Sequence, residues 1–521
     1  MISPATLRRV SNSDCFVGFL CVLALLLRLA PALENRFHPD EALYGTWAMH
    51  VASGRDVLLA QQPVDKPPLA IYAMALSLAV FGRSELAARL PSLAASVFSV
   101  VLVRRWVLAL AAGRASSSRA RSQSELRAGG DARGEGQIAA LLMSLSPFNI
   151  AFGGTAFLDP FMVMWGLAAC VEAGRGRWGR AGLLLGMAFA TKVQGLFFAP
   201  LIVLTAAYAG RTEIGPKYPV FTARSAARFA PGLIFIVALI AAWSLARGGT
   251  PFWVQQTINY GGIRLAHASE LPGRLMGWLN WLPDFFGPVA GAALAAGLLL
   301  NALERGRQLR EYALDLMLVA YVLCYIGFHW LLAFPVWDRY LLILPPVTAV
   351  LMERALAGLQ SRSVDSRSQI GIERIDRWIM PAIAAAMIAP YATAAVRSEL
   401  AIGGDPSTRD GIDRVATYLR EMPIGTVVYD HSYGWELGFY LWNSSVYIAY
   451  FDAPDDLAGD LRVFGARSTR YIVIPADESP DTIMRAISAE GFALKPVLMT
   501  TDRFDRVSFN LYRITDGSIS R

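Results

Sequence analysis

The chain has 521 residues, of which 55% are hydrophobic and only 17% are charged, and its formal net charge is +7. Soluble globular proteins average about 25% charged residues, so this composition excludes an ordinary soluble enzyme. Many apolar runs reach the roughly 20 residues that cross a bilayer. The positive charge collects in short loops between these runs, which is typical of cytoplasmic loops and argues against nucleic acid as a partner. We predict an α-helical polytopic membrane protein.

The first apolar run sets the predicted orientation. Cys15–Leu33 follows the basic residues Arg8 and Arg9, which places the N-terminus in the cytoplasm, and no cleavage site for a signal peptide precedes the next polar loop. That loop, residues 34–85, is then extracytoplasmic. Within it, Pro68–Phe81 is too short to span a bilayer, so we predict a juxtamembrane or re-entrant helix there.

The later runs bring the prediction to about eleven membrane-spanning helices within residues 1–397, in the cell (inner or cytoplasmic) membrane. The low-complexity, Arg-rich segment 113–136 is predicted to be disordered and cytoplasmic, and the long polar and aromatic loop 247–286 to be extracytoplasmic. After the first, the predicted spans are Leu86–Ala112, Gln137–Gly153, Phe161–Gly174, two short helices within Ala181–Ala209, Phe229–Ala246, Gly287–Leu303, Tyr312–Phe334, Leu341–Leu359 and Trp378–Val396.

Residues 398–521 have a different pattern. Short strand-like runs alternate with helical periodicity, which predicts a small soluble α/β domain, extracytoplasmic by the count of spans. The domain has no Gly-rich phosphate-binding fingerprint. The predicted strands are 426–429, 446–450, 471–475, 494–500 and 509–514, and the predicted helices are 410–421, 455–464 and 481–490.

The loop after the first span contains the first candidate site residues. Asp40 and Glu41 lie just beyond the membrane, where a carboxylate suits a general base; the alternative is a helix N-cap, because a helix-like segment follows Asp40. Lys66 precedes two prolines that stiffen the backbone, and a fixed ammonium suits a lipid phosphate. Its alternative role is to anchor the loop at the membrane interface.

Charged residues within apolar surroundings are further candidates. Asp159 is an acid within an apolar helical hairpin, where it is either functional or a helix cap. Lys192 is a cation among apolar helices, so we expect it to have an anionic partner. Arg339 lies at a predicted outer surface, as a phosphate ligand or an interface anchor, and Arg264 lies in the long loop.

The sequence predicts neither a zinc site nor a disulfide framework. The five His residues do not have the spacing of a metal-binding motif, and the four Cys residues all lie in apolar runs. A site for a divalent metal formed by residues from different loops stays an open alternative.

Four stretches occur in an order that resembles the GT-C membrane glycosyltransferases. The similarity is greatest to the branch of the lipid A aminoarabinose transferases and the protein O-mannosyltransferases, which is glycosyltransferase family 39-like. It covers the membrane half of the chain and not the tail. The stretches are HPDEALYGTWAMHVASGRDVLLAQQPVDKPPLAIYAMALSLAVFGRSELAARLPS, GTAFLDPFMVMW, GLLLGMAFATKVQGLFFAPLIVL and WDRYLLILPP.

This resemblance implies a GT-C fold with an extracytoplasmic active site and a polyprenyl-phosphate sugar as donor. Asp40 matches the family's catalytic Asp, Glu41 its acidic neighbour, Lys66 the lysine near the donor phosphate, and Asp159 the second acidic position. The chain departs from the aminoarabinose transferases at Asp65, where they commonly have Glu, and its tail is short for that group. Lipid A is therefore not carried over as the acceptor.

The sequence-based hypothesis is an inverting glycosyl transfer to an extracytoplasmic glycolipid, polysaccharide or protein. Asp40 would take the proton of the acceptor hydroxyl, while Lys66, helped by Arg339 or Arg264, would stabilise the departing phosphate. Two alternatives stay open: a polysaccharide polymerase or ligase that uses a lipid diphosphate, and a non-enzymatic transporter of lipid or sugar.

Overall fold

The computed structural model describes residues 12–115, 135–209, 211–212, 215–216, 222–302, 309–365, 373–403, 407–465 and 467–517. Arg8, Arg9 and most of the Arg-rich segment 113–136 lie outside these residues. The described chain is mostly helical, with a small sheet near its C-terminus.

The helices run through both halves of the chain. Their bounds are α1 Asn12–Glu34, α2 Pro39–Ala52, α3 Leu69–Phe81, α4 Glu85–Ala115, α5 Gln137–Leu145, α6 Pro147–Gly153, α7 Asp159–Gly174, α8 Trp178–Thr191, α9 Phe198–Ala209, α10 Ala223–Ala246, α11 Phe252–Tyr260, α12 Leu271–Asn280, α13 Pro288–Ala302, α14 Leu309–Leu331, α15 Leu344–Asp365, α16 Glu373–Val396, α17 Ile412–Arg420, α18 Gly434–Tyr440, α19 Pro454–Phe464 and α20 Asp481–Ala489.

Strands and 3-10 turns complete the described elements. Their bounds are β1 Arg211–Thr212, β2 Gly215–Pro216, β3 Val427–Asp430, β4 Tyr447–Tyr450, β5 Arg470–Pro475, β6 Phe492–Thr501 and β7 Val507–Asp516, with 3-10 turns at Val193–Phe197, Leu282–Phe285 and Asp338–Ile343.

The chain is a multi-pass membrane protein. Four described helices are long and apolar enough to cross a bilayer, and a bent pair, Leu271–Phe285 with Pro288–Leu299, makes a fifth if it counts as one span. The predicted number of eleven spans is not confirmed, because several apolar runs fold as short or broken helices. The four long helices are Asp14–Glu34, Glu85–Ala111, Ala223–Ala246 and Tyr312–Leu331.

The predicted span Gln137–Gly153 is broken into α5 and α6 at Ser146. Pro147 has no N–H to donate to the carbonyl of Met143, four residues earlier. Instead, the fully buried Arg28 of α1 donates to that carbonyl at 2.8 Å and to the carbonyl of Ser144 at 3.1 Å. Arg28 thus satisfies backbone acceptors that the broken helix leaves open, where no water would do so.

The C-terminal sheet has the strand order β4-β3-β5-β7-β6. β3 is parallel to β4 and β5, while β7 is antiparallel to β5 and β6. Alternate residues point to opposite faces: Val428 and Tyr471 pack against α17 and α18, whereas Tyr429 and Ile472 pack against α19 and α20. Each predicted strand and helix of the tail overlaps an observed one, but α18 was not predicted. The domain boundary at residue 398 stays a prediction.

Helix α18 connects this sheet to α2 of the first loop. Phe439 packs edge-on against Phe37 with ring centroids 4.6 Å apart. The hydroxyl of Tyr440 accepts a hydrogen bond from the Phe37 backbone at 3.2 Å and donates to Glu85 at the start of α4. The C-terminal sheet therefore lies directly against the loop that contains Asp40.

Candidate active site

The start of α2 settles which residue caps this helix. His38 is the N-cap: its Nδ1 atom accepts from the Asp40 backbone N–H at 3.1 Å, while the Glu41 carboxylate accepts from the His38 backbone at 3.0 Å. Pro39 is the first residue of α2, where a backbone N–H would have no acceptor within the helix. The N-cap alternative for Asp40 is therefore wrong, and its carboxylate is available for other contacts.

Glu41 lies in the interior and is held there by an ion pair. Its Oε1 atom accepts from Arg89 Nε at 2.9 Å and from the backbone of Ala156 at 2.7 Å. Arg89 is fully buried and also donates to the carbonyls of Ala32 and Asn35. Glu41 thus joins the start of α2 to α4 and to the loop before α7.

Asp40 is paired with Arg339, its neighbour only in the folded chain. Arg339 Nη1 lies 2.5 Å from Asp40 Oδ2, and the guanidinium lies over the rings of Trp337, at 4.3 Å, and Phe157, at 4.9 Å. Burial raises the pKa of Asp40, but the charges of Arg339, His38 and Lys66 outweigh it and lower the pKa below its usual value. Asp40 is a carboxylate at neutral pH.

Lys66 is the second cation of the region. Its ammonium lies 2.6 Å from Asp65 Oδ2 and donates to the Tyr260 hydroxyl at 2.9 Å. Asp65 also accepts from Asn259 at 3.2 Å. Tyr260 and Asn259 end α11, so the long loop 247–286 closes over the Lys-Pro-Pro segment of the first loop.

Asp159 and Lys192 form a buried pair. Lys192 Nζ lies 2.7 and 2.9 Å from the two oxygens of Asp159, and it lies 4.9 Å from the ring centroid of Tyr340. Asp159 begins α7, and Lys192 directly follows the end of α8. The anionic partner expected for Lys192 is therefore Asp159.

These pairs meet around the 3-10 turn Asp338–Ile343. Arg339 and Tyr340 are consecutive in it, and Trp337, just before it, packs edge-on against Tyr260 with centroids 5.9 Å apart. We call the three pairs the charged cluster: Asp40 with Arg339, Asp65 with Lys66, and Asp159 with Lys192. Of the sequence-predicted site residues, Asp40, Lys66, Asp159 and Arg339 come together here.

Arg264 does not join them. It forms an exposed ion pair with Glu270 at 2.8 Å, and no contact to the charged cluster is found within the described part of the chain. No group of three His, Cys, Asp or Glu residues suited to a metal ion occurs among the described residues either.

Sequence analysis missed three contributors. Tyr260 and Trp337 supply aromatic faces to Lys66 and Arg339, and Arg89 holds Glu41. Arg89 lies in the stretch ELAARLPS quoted above, so its charge within an apolar span was a usable signal. Tyr260 and Trp337 had none, because aromatic residues are common near membrane interfaces.

Solved structures with this arrangement of helices and sheet are known. The chain superposes on ArnT from Cupriavidus metallidurans in the apo state with a TM-score of 0.62, at 14% identity, over 96% of this chain and 98% of that chain. The chain has the GT-C fold. The fold expected from the sequence is thereby confirmed.

Two further solved structures are similar to this chain, with lower TM-scores. ArnT from the same organism bound to undecaprenyl phosphate gives a TM-score of 0.58, at 14% identity, over 96% and 97% of the two chains. Arabinofuranosyltransferase AftD from mycobacteria gives 0.47, at 16% identity, over 96% of this chain and 41% of that one, which is too low to assign a shared fold. No protein-family model and no curated protein matches the sequence.

Proposed function

We propose that the protein is an inverting membrane glycosyltransferase that moves a sugar from a polyprenyl-phosphate donor to an acceptor hydroxyl outside the cytoplasm. The observation that carries this proposal is the ion pair of Asp40 with Arg339, flanked by two lysines, in a chain with the GT-C fold. The solved ArnT structure bound to undecaprenyl phosphate supports a polyprenyl phosphate as the lipid part of the donor.

Lys66 and Arg339 are the cations best suited to the donor phosphate. Within the described part of the chain, Lys66 has Asp65 as its single carboxylate partner and Arg339 has Asp40 as its side-chain acceptor, so both cations have unused N–H donors. Arg339 lies over the rings of Phe157 and Trp337, and these two contacts restrict the movement of its guanidinium. Lys192 is bound by both oxygens of Asp159 and is buried, so that pair supports the turn that presents Arg339.

Asp40 is the acceptor-side group in this mechanism. It accepts the hydrogen bond of the acceptor hydroxyl while Arg339 turns its remaining donors to the phosphate. The hydroxyl oxygen attacks the anomeric carbon, the bond from that carbon to the phosphate oxygen breaks, and its electron pair stays on the phosphate. The proton passes to Asp40, and one displacement inverts the configuration.

Glu41 and Asp159 act through other residues. Glu41 fixes the start of α2 and so the position of Asp40, and Asp159 holds Lys192 beneath Tyr340. Both were candidates for catalysis from the sequence, and we assign both a positioning role.

The test uses membranes containing the full chain and a radiolabelled undecaprenyl-phosphate sugar. We expect transfer by the wild type, a loss of at least about 100-fold with Asp40→Asn, and no loss with the exposed control Asp455→Asn. Full activity of Asp40→Asn would show that Asp40 is not the general base. Transfer from a lipid diphosphate alone would favour a polymerase or ligase, and movement of lipid without any transfer would favour a transporter.

A further inference from the structure

A hollow lies between the far end of α2, the end of α3 and the C-terminal sheet domain. Its volume is about 400 Å³, within the range of small-ligand sites. Met49 and Leu78 line it on the apolar side, and Arg83, Arg420 and Trp442 line it on the polar side. We call it the junction hollow.

Two arginines face this hollow without a carboxylate. Arg83 donates to the Trp442 carbonyl at 2.8 Å and Arg420 donates to the Tyr440 carbonyl, and neither forms an ion pair within the described residues. Burial, and then the charge of Arg420, lower the pKa of Arg83, so the two guanidiniums repel each other. An anion between them would remove that repulsion.

Trp442 extends the basic surface. Arg55 lies 4.9 Å from its ring centroid, and His50 packs edge-on at 4.7 Å. Asp56 donates its backbone N–H to the His50 carbonyl, and its carboxylate oxygens accept from the backbone N–H groups of Ala60 and Gln61. Among the described residues, Asp56 forms no ion pair with either arginine of the hollow.

The wall beside the hollow is apolar and exposed. Leu76, Val80 and Phe81 of α3 are 65–68% exposed, and Arg83 follows two residues after Phe81. An exposed apolar helix face that ends at a basic, tryptophan-lined hollow matches a lipid, with its chains on the helix and its headgroup in the hollow.

This hollow is separate from the charged cluster. Asp40 stands at the start of α2, and Ala52, which lines the hollow, ends it. Twelve residues of helix separate them by about 18 Å, so a phosphate in the hollow is not the donor phosphate held by Lys66 and Arg339.

We propose that the junction hollow binds the phosphate headgroup of an anionic membrane phospholipid, whose acyl chains lie against α3. The lipid then joins the C-terminal domain to the membrane module, because Arg83 belongs to the module while Arg420 and Trp442 belong to the domain. This proposal does not depend on the glycosyl-transfer reaction.

The test measures thermal unfolding of the full chain in detergent with phosphatidylglycerol, phosphatidylcholine or inorganic phosphate added. We expect phosphatidylglycerol to raise the midpoint of the wild type and to bind the double variant Arg83→Gln/Arg420→Gln at least about five-fold more weakly. Arg83→Lys/Arg420→Lys should keep part of the response, and the control Arg467→Gln/Arg485→Gln, which removes the same charge from an exposed surface, should keep all of it.

Fluorescence provides a second measurement that does not depend on stability. Brominated phosphatidylglycerol should quench the wild type more than Trp442→Phe, because bromine close to the hollow quenches that indole. An unchanged response of Arg83→Gln/Arg420→Gln would overturn the proposal. An equal response to phosphatidylcholine, or to inorganic phosphate alone, would overturn it as well, since the site would then not be one for an anionic lipid.

Discussion

Arg339 Nη1 lies 2.5 Å from Asp40 Oδ2, across a sequence separation of 299 residues. The pair connects the first loop of the chain to the 3-10 turn before α15. In the proposed mechanism, Asp40 would hold Arg339 in place when no donor is bound, and Arg339 would keep its remaining N–H groups for the donor phosphate.

Removing this arginine should damage transfer more than binding of the acceptor. Arg339→Gln leaves Asp40 without its partner and removes a donor from the developing negative charge, so we expect kcat to fall by about 100- to 1,000-fold. Steady-state kinetics with an undecaprenyl-phosphate sugar measure this loss. Arg264→Gln, which removes an exposed arginine paired with Glu270, should change kcat by less than about three-fold. A large loss of kcat with Arg264→Gln would instead show that Arg264 contributes to the active site.

The pH profile should show a carboxylate that ionises at unusually low pH. A base must be deprotonated to act, and the pKa of Asp40 is lowered from its usual value, about 3.9. Activity should therefore fall only below about pH 4. In Arg339→Gln the main lowering charge is gone while burial remains, so the acid limb of kcat/KM should move to higher pH. An acid limb at pH 6 or above in the wild type would identify a different base.

Glu41 should matter for stability as well as activity. Glu41→Gln leaves the guanidinium of Arg89 buried without its counter-charge, which we expect to cost about 3–5 kcal/mol of unfolding free energy. Thermal unfolding in detergent measures the effect, with Glu490→Gln, which breaks an exposed pair with Arg462, as the control of small effect. A wild-type unfolding midpoint combined with lost transfer would instead show that Glu41 meets substrate.

The C-terminal domain should lose stability as the pH rises. Burial raises the pKa of Glu436 to about 7, while Arg409 opposes this, and the Oε2 atom of Glu436 has no hydrogen-bond partner among the described residues. The folded state therefore holds this proton more tightly than the unfolded state, whose usual pKa is about 4.3, so the stabilisation present below that pH is lost progressively up to about pH 7.

The comparison with Glu436→Gln isolates this effect. Its side chain stays neutral, so the unfolding midpoint of the wild type relative to the variant should fall between pH 4.5 and pH 7. The exposed variant Glu421→Gln should show no such trend. A difference between wild type and Glu436→Gln that does not change with pH would mean that Glu436 titrates at its ordinary pKa.

The predicted orientation can be tested on an exposed residue of the domain. Ile424 is 89% exposed, so a cysteine there is accessible to reagents on its own side of the membrane. We expect Ile424→Cys in intact cells to react with a membrane-impermeant maleimide beyond the background of the native cysteines. Labelling only after the membrane is opened would place the domain in the cytoplasm and reverse the topology.

Local patterns accounted for much of the fold and for part of the site. The tail elements follow from alternation and helical periodicity, and Asp40 and Lys66 stand out as charges beside apolar runs. The partners of these residues could not be derived this way. Arg339 meets Asp40 through the packing of distant helices, and periodicity within a segment contains no information about that packing.

The contacts of Glu41 and the break in the run Gln137–Gly153 could not be derived from local sequence for a related reason. Local sequence does not distinguish the carboxylate of Glu41 from that of Asp40, but in the folded chain Arg89 and the Ala156 backbone donate to Glu41. The run was continuous in hydropathy, and its break depends on Pro147 together with a buried arginine from another helix. In both cases the deciding contact lies outside the segment that was interpreted.

That arginine makes positions 28 and 147 dependent on each other. Arg28 donates to the Met143 carbonyl, which Pro147 leaves open. The substitution Arg28→Leu would leave the Met143 carbonyl without a donor in an apolar environment. The substitution Pro147→Ala would supply a backbone N–H that competes with the guanidinium for this carbonyl. The two substitutions made together should therefore cost less stability than the sum of the two single substitutions. We expect relatives of this chain to have both the arginine and the proline, or neither.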